Sequence, residues 1–185
     1  MSLSELEHLR WQNSVLKEKN WARDPDRKKR SEWFFLVNTR YKPEDDFDKD
    51  RCEAYIDEIM GDFSNAVRAG NIVDLNRKTH SWDTQYIDDV RIRYAVEVGK
   101  GKLKKDGTRG KSGGELHIHV LLTIYHHSNL TLTWESLVEF FQPPFMTFFA
   151  MKPFVSRPKL TTENRTIEYM EKGFENAVWK VVNQY

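Results

Sequence analysis

Two histidines separated by one residue stand in the most regular strand pattern of the sequence. In residues 114–127, GELHIHVLLTIYHH, period-two alternation puts His117 and His119 on one face of a strand, and Leu116, Ile118, Val120 and Leu122 on the other. Imidazoles at positions i and i+2 lie about 6.6 Å apart along a strand, close enough to bind one metal ion. Because a polar side chain in an apolar strand needs a partner, the pattern indicates a metal site. It also fits an exposed strand face on which histidines are tolerated.

A carboxylate on the preceding strand could complete such a site. Residues 89–99 also alternate with period two, and strands joined by a loop tend to pair, so we expect Glu97 beside the histidines. Glu115 is the rival third ligand, because it lies two residues before the first histidine on the same face. Two neutral imidazoles and one carboxylate form an open site that suits Mn²⁺, Mg²⁺ or Co²⁺. Alternatively, Glu97 is a surface carboxylate paired with Arg93 or Lys100.

A tyrosine and a lysine share one face of the helix predicted near the end of the sequence. Tyr169 and Lys172 stand at positions i and i+3, after a capping residue at Thr161 or Thr162. A tyrosyl oxygen can attack a phosphodiester, and a nearby ammonium can stabilise phosphate charge. Most helical tyrosines are packing residues, and Lys172 could instead pair with Glu168 or complement the helix C-terminus. This pattern alone therefore does not separate a catalytic from a structural role.

Composition limits the classes of protein that remain. The chain has 185 residues, of which 39% are hydrophobic and 31% charged, and this suits one domain with a substantial core. No run approaches the ~20 consecutive apolar residues of a membrane helix, and the first residues contain no signal-peptide core. Cys52 is the only cysteine, which excludes an intramolecular disulfide and a zinc site built on cysteines. We therefore expect an intracellular protein without a membrane partner.

The net charge of +1 conceals two segments of opposite sign. Residues 44–62 contain nine acids and two bases, whereas residues 99–112 contain six bases and one acid. Because local fields attract a polyanion, the basic loop is a candidate contact for a DNA backbone. Its basic residues are Lys100, Lys102, Lys104, Lys105, Arg109 and Lys111. We expect no nucleotide-binding loop at Gly110-Lys111-Ser112, because Lys105 stands where that motif needs glycine.

The elements that must position these residues interleave strands and helices. Residues 1–30 are expected to form a charged helical extension, and residues 31–185 a single domain. Strands are predicted at residues 32–41, 71–75, 89–99, 116–124 and 148–155, and helices at 48–69, 133–141 and from 161 or 162 to 173. Pro143-Pro144 is expected to end the second helix. The pattern predicts an α+β fold in which helices flank a mainly antiparallel central sheet.

Taken in chain order, these pieces resemble the HUH endonucleases, and more narrowly the replication-initiator (Rep) domains of small single-stranded DNA viruses and rolling-circle plasmids. The matching segments are WFFLVNTRY from Trp33, YAVEVGKG from Tyr94, the His-x-His strand, and IEYMEKG from Ile167. The resemblance implies a ferredoxin-like central sheet and Tyr169 as the nucleophile. It implies that Lys172 positions the phosphate or stabilises the leaving oxygen. It also implies that His117, His119 and Glu97 bind Mn²⁺ or Mg²⁺.

The activity implied by this resemblance is sequence-specific nicking and joining of single-stranded DNA. One tyrosine stands in the motif, as in the single-tyrosine class, which implies a 5′-phosphotyrosine intermediate and a free 3′-hydroxyl that starts rolling-circle or rolling-hairpin replication. The implied partners are single-stranded or hairpin origin DNA, a host polymerase, and a helicase that is either a further domain or a separate protein. A viral origin would imply action in the host nucleus.

Three other functions fit parts of the same pattern. A transposase or relaxase of the same superfamily shares the chemistry, but the carboxylate before the histidines and the terminal Tyr-x-x-Lys favour an initiator. A non-catalytic module that binds single strands would use the aromatic residues and the basic loop, but gives no reason for His-x-His or for Tyr169. A 2H phosphoesterase needs two His-x-Ser/Thr pairs, and His126-His127-Ser128 offers one. We expect structural or surface roles for His80, His126 and His127, and packing roles for Tyr94 and Tyr125.

Overall fold

The fold is α+β, with an antiparallel sheet of several strands flanked by helices, and this confirms the predicted class. The computed structural model describes residues 9–10, 12–13, 29–75, 87–100, 105, 107, 113–126, 130–161 and 179–182. Of the predicted extension at residues 1–30, the described residues 9–10 and 12–13 are helical, and residues 29 and 30 already belong to the first strand. No helix in the described ranges is long and apolar enough to span a membrane.

Besides the helical residues 9–10 and 12–13, the described elements are two helices and a set of strands. The helices are α1 (Asp46–Arg68) and α2 (Trp134–Phe149). The strands are β1 (Lys29–Asn38), β2 (Val73–Leu75), β3 (Ile87–Val98), β4 (Leu116–His126), β5 (Leu130–Leu132), β6 (Phe154–Val155), β7 (Lys159–Leu160) and β8 (Trp179–Val181). The main sheet has the order β6–β1–β4–β3–β8, and β7 also pairs with β1. β2 and β5 form a separate two-stranded sheet.

β4 is the central strand, and its two faces have different surroundings. It pairs with β1 on one side and with β3 on the other. Its even-numbered residues from Leu116 to Ile124 are buried in one core with apolar residues of α1 and α2. Its odd-numbered residues lie on the opposite side, which we call the histidine face. That face comprises Glu32, Phe34, Leu36 and Asn38 of β1, Arg91, Arg93, Ala95 and Glu97 of β3, and His117, His119, Leu121, Thr123 and Tyr125 of β4.

Two element boundaries differ from the predicted ones because of local side-chain hydrogen bonds. β1 ends at Asn38, three residues early, where the Asn38 side chain accepts a hydrogen bond from the Arg40 backbone N–H at 2.7 Å. Arg40 adopts a left-handed conformation with φ of 59°, which interrupts the regular pairing, and beyond it the Tyr41 carbonyl still accepts from the Leu116 N–H at 3.0 Å. α1 begins two residues early, because the Asp45 side chain caps it by accepting from the Asp48 N–H.

The prediction that Pro143-Pro144 ends α2 is wrong. The helix continues to Phe149 and contains both prolines in its interior. Each proline removes a backbone hydrogen bond, at a cost of about 3 kcal/mol. The helix persists because Phe141, Phe145 and Phe149, spaced four residues apart, are all buried in the core. The strand predicted at residues 148–155 is correspondingly reduced to the two residues of β6.

Cys52 provides a test of how α1 packs on the sheet. Its side chain is completely buried, and this burial raises the pKa of the thiol from 9.0 to about 11. Because the thiolate is the reactive form, the rise lowers its population at pH 8 about a hundredfold. We expect the native protein to react with DTNB at pH 8 at least about a hundred times more slowly than the protein unfolded in urea. Equal rates would contradict this packing.

Candidate metal centre

Glu97 and the two histidines come together across the β3–β4 pair. Glu97 lies directly opposite His117, and Ala95 lies opposite His119. Paired residues of antiparallel strands share a face, so all three candidate ligand side chains lie on the histidine face. His119 Nε2 and Glu97 Oε1 form a hydrogen bond of 2.9 Å. The Glu97 side chain is 33% exposed and that of His119 is 11% exposed, so the pair opens to solvent on the carboxylate side.

The surroundings of His119 favour its neutral form. Burial is the largest cause and lowers the pKa of the imidazole below its ordinary value of 6.5. The hydrogen bond to Glu97 and its charge raise this pKa, and the nearby His117 lowers it, so that the net shift is downward. Phe34 of β1 stacks on the ring, with centroids 6.1 Å apart and planes inclined by 27°. A neutral, fixed imidazole is the form in which histidine binds a metal ion.

His117 occupies a space that exists because residue 99 has no side chain. The Gly99 N–H donates to the Glu115 carbonyl at 2.7 Å, so the β3–β4 pairing continues past the end of β3. A Cβ atom on Gly99 would lie 2.8 Å from His117 Cε1 and 2.9 Å from His117 Nε2. That Nε2 atom is buried and has no hydrogen-bond partner among the described residues. Since an unsatisfied buried polar atom costs about 1–3 kcal/mol, this arrangement favours a further ligand.

The two carboxylates that were candidates for the third ligand have different partners. Glu97 contacts His119, as described above. Glu115 instead accepts a hydrogen bond from Asn38 Nδ2 at 2.8 Å, and Asn38 lies opposite His117 on β1. The structure therefore brings Glu97 into direct contact with an imidazole of the pair, and Glu115 into contact with the neighbouring strand.

The donor atoms fit a hard divalent cation. The three side chains offer two imidazole nitrogens and one carboxylate oxygen, a mixed donor set that suits Mn²⁺ or Mg²⁺. His119 Nε2 and Glu97 Oε1 are at present hydrogen-bonded to each other at 2.9 Å, and His117 adds a buried ring nitrogen. Among the residues that the structure describes, no three His, Cys, Asp or Glu side chains already surround one point. Binding through all three side chains therefore requires side-chain rotation within the site.

Most other predicted site residues lie outside the described ranges. These are Tyr169, Lys172, Lys102, Lys104, Arg109 and Lys111. Within the basic loop, Lys100 and Lys105 are described, and both are exposed. The roles assigned to this group, as nucleophile, phosphate-positioning residue and DNA contacts, stay predictions from the sequence.

Several residues that were expected to be structural have structural partners. His126 Nε2 and Ser31 Oγ are 2.8 Å apart, on the side of the sheet opposite the histidine face. The Tyr94 hydroxyl donates to Asp57 at 2.8 Å, and Tyr125 is fully buried. His80 and His127 lie outside the described residues.

Gly99, Phe34 and Asn38 shape the site but were not found from the sequence. Gly99 could have been found, because period-two parity places it on the face of Glu97, and a glycine in a strand pattern often marks a close approach. Phe34 and Asn38 depend on β1 lying beside β4. These strands are not consecutive, so no short-range pattern in the sequence specifies their pairing.

Gly99→Ala is expected to weaken Mn²⁺ binding about 10- to 100-fold, because the new Cβ displaces the His117 imidazole. The two closest contacts are with the end of a side chain that can rotate, and the third, with the Glu115 carbonyl oxygen at 3.3 Å, needs a shift of a few tenths of an ångström, so we expect the fold to persist. Gly61→Ala in α1 is the matched control, since its Cβ meets nothing within 4 Å. Isothermal titration calorimetry with Mn²⁺ measures both variants, and unchanged affinity in Gly99→Ala would contradict the proposed role of His117.

Comparison with known proteins finds no relative of this chain. No protein-family model matches the sequence. No curated protein and no solved structure is significantly similar to it.

Proposed function

We propose that the chain is a metal-dependent DNA endonuclease and strand transferase of the HUH type, which nicks and rejoins single-stranded DNA through one tyrosine. The observation that supports this most strongly is the His117 Nε2 atom, buried without a partner among the described residues and on the same face as the His119–Glu97 pair. A module that only bound DNA would gain nothing from burying this nitrogen unsatisfied. Coordination of Mn²⁺ or Mg²⁺ would satisfy it.

The residues that would hold the ion are His117, His119 and Glu97. When bound, the ion supplies polarisation of the scissile phosphate and compensation of its charge. The protein keeps the His119 imidazole neutral through burial and fixes its plane against Phe34. It leaves the Glu97 carboxylate open to solvent, on the side from which a substrate can enter.

In the proposed reaction, the phenol oxygen of Tyr169 bonds to the scissile phosphorus while the bond from phosphorus to the 3′ oxygen breaks. The phenol loses its proton and the 3′ oxygen gains one, which gives a 5′-phosphotyrosine and a free 3′-hydroxyl. Because free tyrosine has a pKa of ~10, positive charge near Tyr169 must favour the phenolate. Lys172 positions the phosphate or stabilises the leaving oxygen.

The two products explain why this chemistry suits replication. The 3′-hydroxyl can prime a polymerase in rolling-circle or rolling-hairpin synthesis. The phosphotyrosine retains the energy of the phosphodiester, so a later 3′-hydroxyl can attack it and rejoin the strand without ATP. The DNA is expected as a single strand or hairpin, and a polymerase and helicase as partners.

A denaturing-gel assay with short, origin-like single-stranded oligonucleotides tests the proposal. In the presence of Mn²⁺ or Mg²⁺, we expect a slowly migrating protein–DNA adduct together with a released fragment that ends in a 3′-hydroxyl. EDTA should abolish both products. Tight binding without any adduct, across a broad set of oligonucleotides, would favour a non-catalytic single-strand-binding module instead.

A further inference from the structure

The sheet edge formed by β6 and β7 carries exposed cationic and aromatic side chains. Residues 151–160 contain three bases and no acid. We call the exposed residues Lys152, Phe154, Arg157 and Lys159 the edge strip. Phe154 keeps 49% of its surface exposed, although its neighbour Val155 is buried in the core. An exposed aromatic ring among cations is the composition that binds single-stranded nucleic acid.

The cross-strand register places two members of the edge strip on the histidine face. Phe154 pairs with Asn38, and Asn38 pairs with His117. Phe154 is therefore two strands away from His117, at a Cα separation of about 10 Å, with its side chain on the same face. Lys159 pairs with Phe34, the residue whose ring stacks on an imidazole of the candidate metal centre.

The backbone of this edge is poorly suited to pairing with a further strand. Pro153 and Pro158 have no N–H group to donate, and proline and lysine at an edge oppose strand addition. Ser156 interrupts the edge: its N–H donates to the Leu36 carbonyl at 2.9 Å, and its Oγ accepts from the Leu36 N–H at 2.8 Å. The exposed ring and the three cations of the edge strip match a polyanion with exposed bases better than a peptide strand.

We propose that the edge strip binds single-stranded DNA on its way to the candidate metal centre, with Phe154 stacking on a base and Lys159 contacting a phosphate. This inference rests on the proposed function, because it names the path of the same substrate. Stacking on Phe154 needs an unpaired base, so single strands bind more tightly than duplexes of the same sequence. The cations contact the backbone and add no sequence preference.

Fluorescence anisotropy with a labelled single-stranded oligonucleotide, measured on the full chain in EDTA, tests the strip without catalysis. Phe154→Ala is expected to weaken binding about 5- to 100-fold and to leave the salt dependence unchanged. Lys159→Ala is expected to weaken binding and to reduce the slope of log K against log salt concentration by about 0.7. Leu160→Ala is the matched control: this residue is 70% exposed on the same edge, but it pairs with Trp33 on the helix side. The Leu160→Ala variant should bind the oligonucleotide as tightly as the parent does.

Three results would overturn the inference: no binding of single strands by the parent, parental affinity in both Phe154→Ala and Lys159→Ala, or an equal loss in Leu160→Ala. All three substitutions change exposed side chains, so the variants should melt at the parental temperature. If the edge-strip variants lose binding but the parent cannot nick DNA, the proposed function is overturned and DNA binding by the edge strip stands. If the parent nicks normally and the edge-strip variants bind and nick like it, the inference is overturned and the proposed function stands.

Discussion

Tyr169→Phe is expected to form no covalent adduct with single-stranded DNA and to nick it on the order of 10⁴-fold more slowly, or not at all. The substitution removes one oxygen atom, the one proposed to bond to phosphorus, and keeps the ring. Binding of the oligonucleotide in EDTA should therefore stay close to that of the parent. The rate of adduct formation on a denaturing gel, and anisotropy in EDTA, measure the two effects separately.

Tyr125→Phe is the matched control for this experiment. Tyr125 lies on the histidine face and is fully buried. Its burial raises the pKa of the hydroxyl, and the nearby Arg91 only partly opposes this. A raised pKa lowers the fraction of the tyrosine that is present as the nucleophilic phenolate, so this variant should nick at close to the parental rate. Full activity in Tyr169→Phe would keep the reaction class and assign the nucleophile to another residue.

His117→Ala and His119→Ala are each expected to lower the proposed metal-dependent nicking by about a thousandfold, since each would remove a ligand of the proposed ion, whose contribution would be several kcal/mol. His126→Ala is the matched control, because His126 is a buried histidine of the same strand that points to the other side of the sheet. It should retain nicking and metal binding. Initial nicking rates over a range of Mn²⁺ concentrations give the comparison.

His126→Ala and His117→Ala should rank oppositely in stability and in activity. His126→Ala should be the less stable but the more active of the two. His126→Ala loses the hydrogen bond with Ser31, so we expect it to lower the free energy of unfolding by about 1 kcal/mol. His117→Ala removes a buried nitrogen that has no hydrogen-bond partner among the described residues, so its loss should cost less stability in the absence of metal. Urea unfolding in EDTA tests this order. A His117→Ala variant that is the less stable of the two and nicks normally would show a structural role for His117.

The β3–β4 part of the site could be predicted from the sequence. Both strands alternate with period two and are joined by one loop, and this is enough to put Glu97, His117 and His119 on one face. The pairing of β3 with β4 also determines which residue of one strand lies opposite each residue of the other. The choice between Glu97 and Glu115 depended on side-chain contacts, which no periodicity specifies.

The remainder of the fold depends on packing between distant parts of the chain. β1 and β4 are separated by about eighty residues, and so the stacking of Phe34 on His119 has no local signal. In α2, burial of Phe145 and Phe149 outweighs the local tendency of Pro143-Pro144 to end a helix. The edge strip likewise has no local signal, because β6 and β7 pair with β1, which lies more than a hundred residues earlier in the chain.

Mass spectrometry of the protein–DNA adduct tests the nucleophile and the metal requirement together. After reaction with an oligonucleotide and Mn²⁺, trypsin should release DNA attached to residues 166–172, TIEYMEK, in which Tyr169 is the only tyrosine. The same sample treated with EDTA should contain no DNA-linked peptide. DNA attached to a different peptide, or an adduct that forms equally well in EDTA, would contradict the proposed metal-dependent attack by Tyr169.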